Sequence, residues 1–385
     1  MISALLLAVS TAMAFAAPSI NEMPKAGVYI NAEGSPLLPM LANATGTIDI
    51  EIYTMKSQTV RDLIRGALDR GVKVRVIMEP KPVGETCNIF GAPASSADAA
   101  DCADLKKLMG EVRASGGAFE PYNKQALCPN GGGKGGSGCF EHGKIALADG
   151  IALVSTGNFD STNLCLESEN PSRCDRDYTL IDDSVDVFST LTSIFEADLK
   201  GASYDVASLI PASLTNFLTV SPDALTPMIR FIGSAQQSID LEAQYLKEPN
   251  LNNALIAAAN RGVKVSVTVS SACAFGKPTS SAVNEITSVY SAFDQAGILS
   301  RMYNASNKIN GHAGYMHAKV IVVDGVAAWL GSENGSTESL TQNREYGVVF
   351  GGASYVDPIF NTIKADRDDA ASETWSESLQ CLRDK

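Results

Sequence analysis

Ile48-Asp49-Ile50-Glu51, followed by Arg70-Gly71-Val72-Lys73-Val74, returns as Ile239-Asp240-Leu241-Glu242 and Arg261-Gly262-Val263-Lys264-Val265, both at one offset of 191 residues. Between the two runs of each copy, apolar residues recur at helical spacing: Val60, Leu63, Ile64, Ala67 and Leu68 in the first, Leu251, Leu255, Ile256 and Ala259 in the second. Gly71 and Gly262 stand where a left-handed residue ends a helix, and the β-branched residues after them favour a strand. Each copy therefore reads strand, helix, glycine turn, strand, and the crossover makes the two strands parallel. A further helix and strand follow in both, Ala103 to Ala114 then Ala118 to Asn123, and Ala282 to Ala296 then Ile298 to Asn304. The fold class is α/β: two pseudo-symmetric lobes, each a mixed β-sheet flanked by helices, with functional residues meeting where the lobes meet.

The copies differ by insertions. Tyr122-Asn123 matches Tyr303-Asn304 at an offset of 181, and segments further on match at 175. The first copy thus carries about ten extra residues around Cys87 to Cys102 and six in the glycine-rich run Asn130 to Gly138, lengths a loop accommodates at small entropic cost. The expected domains are 17–212 and 213–385, joined near Ser208 to Pro222. A chain of 385 residues with 45% hydrophobic and 19% charged residues suits two well-cored domains and excludes a disordered chain. Its net charge of −13, from 30 Lys plus Arg against 43 Asp plus Glu, is the wrong sign for a broad basic surface that holds nucleic acid.

Residues 1–16 form an apolar run ending in Ala14-Phe15-Ala16, a small-x-small cleavage pattern, and are expected to be a signal peptide. No later stretch is apolar enough to span a membrane, so the mature protein is expected to be secreted and extracellular. The eight cysteines contain no CxxC pair and favour disulfides over a zinc ribbon. Spacing favours Cys87/Cys102, Cys128/Cys139 and Cys165/Cys174, leaving Cys273/Cys381, although spacing alone does not fix connectivity. Sequons stand at Asn43, Asn304 and Asn334.

Two of only three histidines occupy equivalent places: His142-Gly-Lys144-Ile-Ala-Leu-Ala-Asp149 and His317-Ala-Lys319-Val-Ile-Val-Val-Asp324. Each motif runs through an apolar strand into a turn, Thr156-Gly157-Asn158 or Gly331-Ser332-Glu333-Asn334. Residues i and i+2 of a strand share a face, so each His and Lys project together.

The doubled pattern, from about Ile48 to Glu345, resembles the phospholipase D superfamily, whose members carry paired HxKxxxxD motifs. The resemblance implies phosphodiester chemistry without a metal or other cofactor: His142 as nucleophile forming a phosphohistidine and His317 as general acid and base. Lys144, Lys319, Asn158 and Asn334 would hold the phosphate oxygens. Asp149 and Asp324 complete the motifs, although an Asp before Gly150 or Gly325 equally suits a turn. A histidine that presents one nitrogen usually has the other held by a carboxylate, and Asp177 and Glu345, in Arg176-Asp177-Tyr178 and Arg344-Glu345-Tyr346, are the candidates. One residue fewer separates His142 from Asn158 than His317 from Asn334, which predicts a displaced Asn158; Glu333, an extra negative charge beside the phosphate site, is expected to turn outward.

The acidic composition favours phospholipid at membrane surfaces as substrate, with DNA or RNA as the alternative. A third reading, an idle binding protein on the same scaffold, is disfavoured because no motif His or Lys is missing. Three histidines without a spaced Cys/His cluster disfavour a zinc hydrolase. With both motifs in one chain, a monomer is expected.

Overall fold

The computed structural model describes residues 19–85, 87–91, 100–129 and 138–384. The expected signal peptide and nearly all of the glycine-rich run lie outside them. The first lobe places β1 (Gly27–Ile30), β2 (Thr47–Ile52), β3 (Lys73–Met78), β4 (Ala118–Pro121), β5 (Lys144–Ala148), β6 (Ile151–Ser155) and β7 (Tyr178–Asp182) in the order β1-β7-β6-β5-β2-β3-β4. The second places β8 (Leu218–Ser221), β9 (Ser238–Ala243), β10 (Lys264–Ser270), β11 (Leu299–Tyr303), β14 (Lys319–Val323), β15 (Ala327–Gly331) and β16 (Glu345–Gly351) in the order β8-β16-β15-β14-β9-β10-β11, with β12 (Lys308–Ile309) and β13 (His312–Ala313) forming a separate hairpin.

The two orders are the same order. In each sheet the quoted repeat supplies a parallel pair, β2 with β3 and β9 with β10, and the motif strand pairs antiparallel to the first of them. The sheets are mixed, as expected. The edge strands β1 and β8 were not legible in the repeat: each is four residues long, and neither belongs to a matching pair of sequence runs.

Helices α1 (Leu37–Asn43), α2 (Gln58–Asp69), α3 (Ala100–Ala114), α4 (Lys124–Leu127) and α5 (Val185–Lys200) accompany the first sheet. Helices α6 (Leu225–Gly233), α7 (Pro249–Asn260), α8 (Ser280–Gln295), α9 (Thr337–Thr341), α10 (Ala353–Asp368) and α11 (Trp375–Ser378) accompany the second. The apolar stripe read over Val60 to Leu68 buries Val60, Ile64 and Ala67. Helix α8 starts two residues before the expected Ala282 because the Thr279 side chain accepts the Ala282 N–H and caps it.

Each lobe has its own apolar core, and a third core lies between them. Val154, Tyr178 and Leu180 of the first sheet meet Val322, Leu330 and Tyr346 of the second there, with Ile194 of α5 and Ile359 of α10. Fusing two sheets over one buried face makes the interface part of the folded unit rather than a hinge.

The interface is also tied by two buried ion pairs related by the pseudo-symmetry. Arg176 donates to Asp366 on α10 through Nε at 2.6 Å and Nη2 at 2.9 Å. Arg344 donates from Nη2 to Asp198 on α5 at 3.1 Å, with its Nε 2.8 Å from the other carboxylate oxygen. Removing one member of a buried pair strands the other charge, so Arg344→Ala is expected to destabilise the protein by about 3–5 kcal/mol. Chemical denaturation reads this as a lowered midpoint, and an unchanged midpoint would contradict it.

The cysteines pair Cys87–Cys102, Cys128–Cys139, Cys165–Cys174 and Cys273–Cys381. The last closes a span of 108 residues. Four disulfides fit an extracellular or other oxidising compartment. Among the described residues, no helix is long and apolar enough to cross a membrane.

Candidate active site

Each motif histidine is held by the other lobe. The backbone N–H of His142 donates to the Arg344 carbonyl at 2.9 Å, and that of His317 to the Arg176 carbonyl at 3.1 Å. This register places the next residue of the opposite lobe against each ring. His142 Nδ1 lies 2.8 Å from Glu345 Oε2, and His317 Nδ1 lies 2.9 Å from Asp177 Oδ1. The acid downstream of each motif therefore serves the histidine of the other motif.

Both carboxylates are otherwise saturated. Asp177 accepts Thr156 Oγ1 at 2.6 Å and Asn163 Nδ2 at 2.8 Å. Glu345 accepts Asn343 Nδ2 at 2.9 Å and the Ser339 hydroxyl. A Cβ on Gly157 would fall 2.8 Å from the Asp177 carboxyl group, so the turn after β6 needs glycine to let the acid in. A carboxylate facing Nδ1 keeps the proton there in the neutral ring and leaves the Nε2 lone pair free. Burial lowers the His142 pKa below its ordinary value, only partly offset by Glu345, and lowers that of His317 to about 4 against the opposing pull of Asp177. Asp177 is pushed up by burial but held below its ordinary range by His317, Lys319 and Thr156. Both rings are thus neutral at pH 7, poised as base or nucleophile until an anion binds.

Lys144 and Lys319 begin β5 and β14 and are completely buried. Lys144 donates to the His142 carbonyl at 2.7 Å; Lys319 donates to the His317 carbonyl and to the Thr156 carbonyl, at 3.3 Å for the latter. The field of each lysine reaches the histidine of the other motif, so four motif side chains share one centre. Burial lowers Lys144 to about 8, partly offset by Glu345, and Lys319 to about 7, partly offset by Asp177. Because a lysine loses its charge as pH rises through its pKa, kcat/KM for a phosphodiester is expected to fall through pH 7–8. Lys319→Arg, which keeps its charge, is expected to move that limb upward; a flat profile to pH 10 would contradict the lysines' role.

Asn158 and Asn334 both have a buried side-chain oxygen without a hydrogen-bond partner; that oxygen is an acceptor, so the group able to hold a phosphate oxygen is the amide nitrogen of each. The displacement predicted for Asn158 does not occur. Thr156 and Ser332 each donate a backbone N–H to the carbonyl of the trailing tripeptide's Tyr, Tyr178 and Tyr346, and accept that tyrosine's N–H on the side-chain hydroxyl, in the same way. The missing residue lies instead in the hairpin: Ala148 pairs with Ile151 across two residues, whereas Val323 pairs with Ala327 across three.

Two further expectations are corrected. Asp149 and Asp324 sit at the far ends of the motif strands, at φ 50° and 54°. Asp149 accepts the N–H groups of Thr45 and Gly46 and Asp324 those of Gln236, Gln237 and Ser238, so they pin the starts of β2 and β9 and touch no reacting group. Glu333 turns inward: it is 2% exposed, accepts the Thr219 hydroxyl at 2.7 Å, and burial raises it to about 8, leaving it neutral. His312 lies 3.0 Å from Glu167, outside the centre.

Sequence reasoning missed several neighbours. The Tyr53 ring lies 4.7 Å from the His142 ring and Tyr315 lies edge-on 5.7 Å from His317. Tyr346 donates to Glu51 of β2 and Tyr178 to Glu242 of β9, both at 2.8 Å, and burial raises both glutamates well above the ordinary carboxylate range. Every side chain of both Arg-acid-Tyr tripeptides thus reaches a partner in the other lobe.

The model "Cardiolipin synthase, PLD-like domain" matches residues 37–199 and 228–366. "Phospholipase D Z" of Dictyostelium discoideum is 29% identical over 171 residues, 40% of this chain and 37% of that protein. "Cardiolipin synthase B" of Shigella flexneri is 34% identical over 124 residues, 30% of this chain and 28% of that protein. The matches thus span about a third of these relatives' length. Phosphatidylserine synthase of Haemophilus influenzae Rd KW20 shares the fold, with a TM-score of 0.60 at 11% identity over 90% of this chain and 86% of that one. With the family model covering more than half of the sequence and both motifs, the chain belongs to the phospholipase D-like family.

Proposed function

We propose that the protein is an exported phospholipase D-type phosphodiesterase that cleaves glycerophospholipids through a covalent histidine intermediate. The observation that carries the reading is the crossed pairing of His142 with Glu345 and His317 with Asp177, which engages Nδ1 of each ring and leaves Nε2 for substrate, in a centre shared with two buried lysines. His142 Nε2 attacks phosphorus, forming an N–P bond as the bond to the head-group oxygen breaks. That oxygen takes a proton from His317 Nε2, whose basicity the bound phosphate anion raises. His317 then removes a proton from water or an alcohol, whose oxygen attacks phosphorus and expels His142. Lys144, Lys319 and the two carboxamides hold the phosphoryl oxygens throughout. The net charge of −13 supports lipid over nucleic acid, and the four disulfides support export.

The test is a side-by-side assay with chelator present, in which the protein and its His142→Ala variant receive phosphatidylcholine vesicles or single-stranded DNA. Choline release by the parent alone is the expected result. Cleavage of DNA but not lipid would overturn the substrate assignment, and cleavage of neither the enzymatic one.

A further inference from the structure

Strands β9 and β10 end at a cavity of about 310 Å³ backed by α8. Val269, Ile286, Val289, Tyr290 and Met302 line it with apolar surface. Phe275, 75% exposed, stands at its mouth with the exposed Lys247 and Lys277.

The cavity is coupled to the reaction centre on two sides. The Phe275 ring meets Tyr315 edge-on at 5.4 Å, and Tyr315 meets His317 edge-on at 5.7 Å. On the other side, the N–H groups of Lys247 and Glu248 donate to the carbonyl of Gly335 at 2.6 and 2.9 Å. Gly335 follows Asn334, so the rim is strapped to the turn that carries a phosphate-binding candidate.

Two polar wall groups are engaged elsewhere, Ser271 donating to Asp384 and Thr279 capping α8, while the Ser270 hydroxyl is left without a hydrogen-bond partner. A nucleobase recognised by its edge would need free donors and acceptors, whereas a hydrocarbon needs only apolar surface. The equivalent cavity of the first lobe is smaller, about 150 Å³, and places Arg61, Glu79, Glu85 and Asp101 among its lining residues. The second cavity also has charged residues in its lining, Lys277 and the paired Lys247 and Glu285, so the two lobes differ for an apolar ligand in the room they offer.

We propose that the second-lobe cavity is an acyl-chain subsite, receiving the chain of a phospholipid whose phosphate lies between the two motifs. Phe275 covers the chain where it enters, and Lys247 and Lys277 lie at the level of the lipid head groups. This inference rests on the phospholipid reading above and adds to it a chain-length preference.

Val289→Trp, which fills the cavity from α8, and Phe275→Ser, which removes its cover, test the inference. Both are assayed on dibutyryl and dioleoyl phosphatidylcholine presented in the same detergent micelles. Expected is a loss of about 10-fold or more in kcat/KM for the dioleoyl lipid, the scale of several buried methylenes, with the dibutyryl lipid unchanged within about twofold. Binding of a pyrene-labelled long-chain phosphatidylcholine to the same variants in a His142→Ala background is expected to weaken in parallel. Phe275 is exposed, so its variant keeps the fold and decides the matter if Val289→Trp does not. Equal losses on both lipids, no loss on either, or a loss seen only on an oligonucleotide would overturn the subsite while leaving the phospholipase reading intact. A parent protein that cleaves neither lipid would overturn both.

Discussion

His142→Ala and His317→Ala are each expected to lower turnover of an ordinary phospholipid by about 10⁴-fold or more, because residues that act as one unit fail together. Their roles separate when the leaving group no longer needs an acid. With a p-nitrophenyl phosphodiester, His317→Ala is expected to release one burst of p-nitrophenol and then stall, because the step that needs a base to activate water is blocked. The stalled protein is expected to carry an acid-labile, base-stable phosphoryl adduct on His142, located by mass spectrometry. His142→Ala is expected to give neither burst nor adduct. An adduct on His317 would reverse the assignment, and wild-type turnover in either variant would end the covalent mechanism. The geometry alone is nearly symmetric, since each imidazole has one carboxylate on Nδ1 and one lysine two residues on. The asymmetry lies in burial: His317 is 5% exposed, whereas His142 is less enclosed.

The repeat made most of this legible in one dimension. A strand-helix-strand unit quoted twice fixes parallel pairs, and a His-x-Lys on an apolar strand fixes two side chains to one face, because both follow from local periodicity. What was not legible is which copy serves which. His142 and Glu345 are 203 residues apart, and His317 and Asp177 are 140 apart. No spacing rule reports a contact set by the packing of two sheets. A signal was nonetheless present: Arg176 and Arg344, Asp177 and Glu345, Tyr178 and Tyr346, and Asp198 and Asp366 all stand at one offset of 168. Charged residues repeated in register on otherwise apolar elements call for partners, and in a two-fold arrangement the partner lies in the other copy. Glu51 and Glu242 closed the quoted repeat itself, yet as strand residues they disclosed nothing of the tyrosines they accept from across the interface. Asp149 and Asp324 show the converse, a motif position whose chemistry is that of a turn.

The crossed pairing makes the second large effect. Glu345→Gln is expected to lower kcat by about 10³-fold with little change in KM, because the amide keeps its volume but no longer fixes the Nδ1 proton or stabilises a positive imidazole. If Glu345 acts through His142, adding Glu345→Gln to His142→Ala costs nothing further, whereas adding it to His317→Ala still suppresses the p-nitrophenol burst. Asp177→Asn is expected to do the reverse, leaving the burst and slowing its resolution, since it holds the ring that activates water. Nitrogen-15 shifts of the two imidazoles give a readout independent of rate: Glu345→Gln should move those of His142 and spare those of His317. A shift confined to His317 would mean that each acid serves the histidine of its own lobe, and would overturn the crossed arrangement. The same crossing explains why both lobes are needed in one folded unit. Separating them would remove from each histidine the carboxylate on its Nδ1 and the backbone carbonyl that accepts its N–H, leaving two complete motifs and no site.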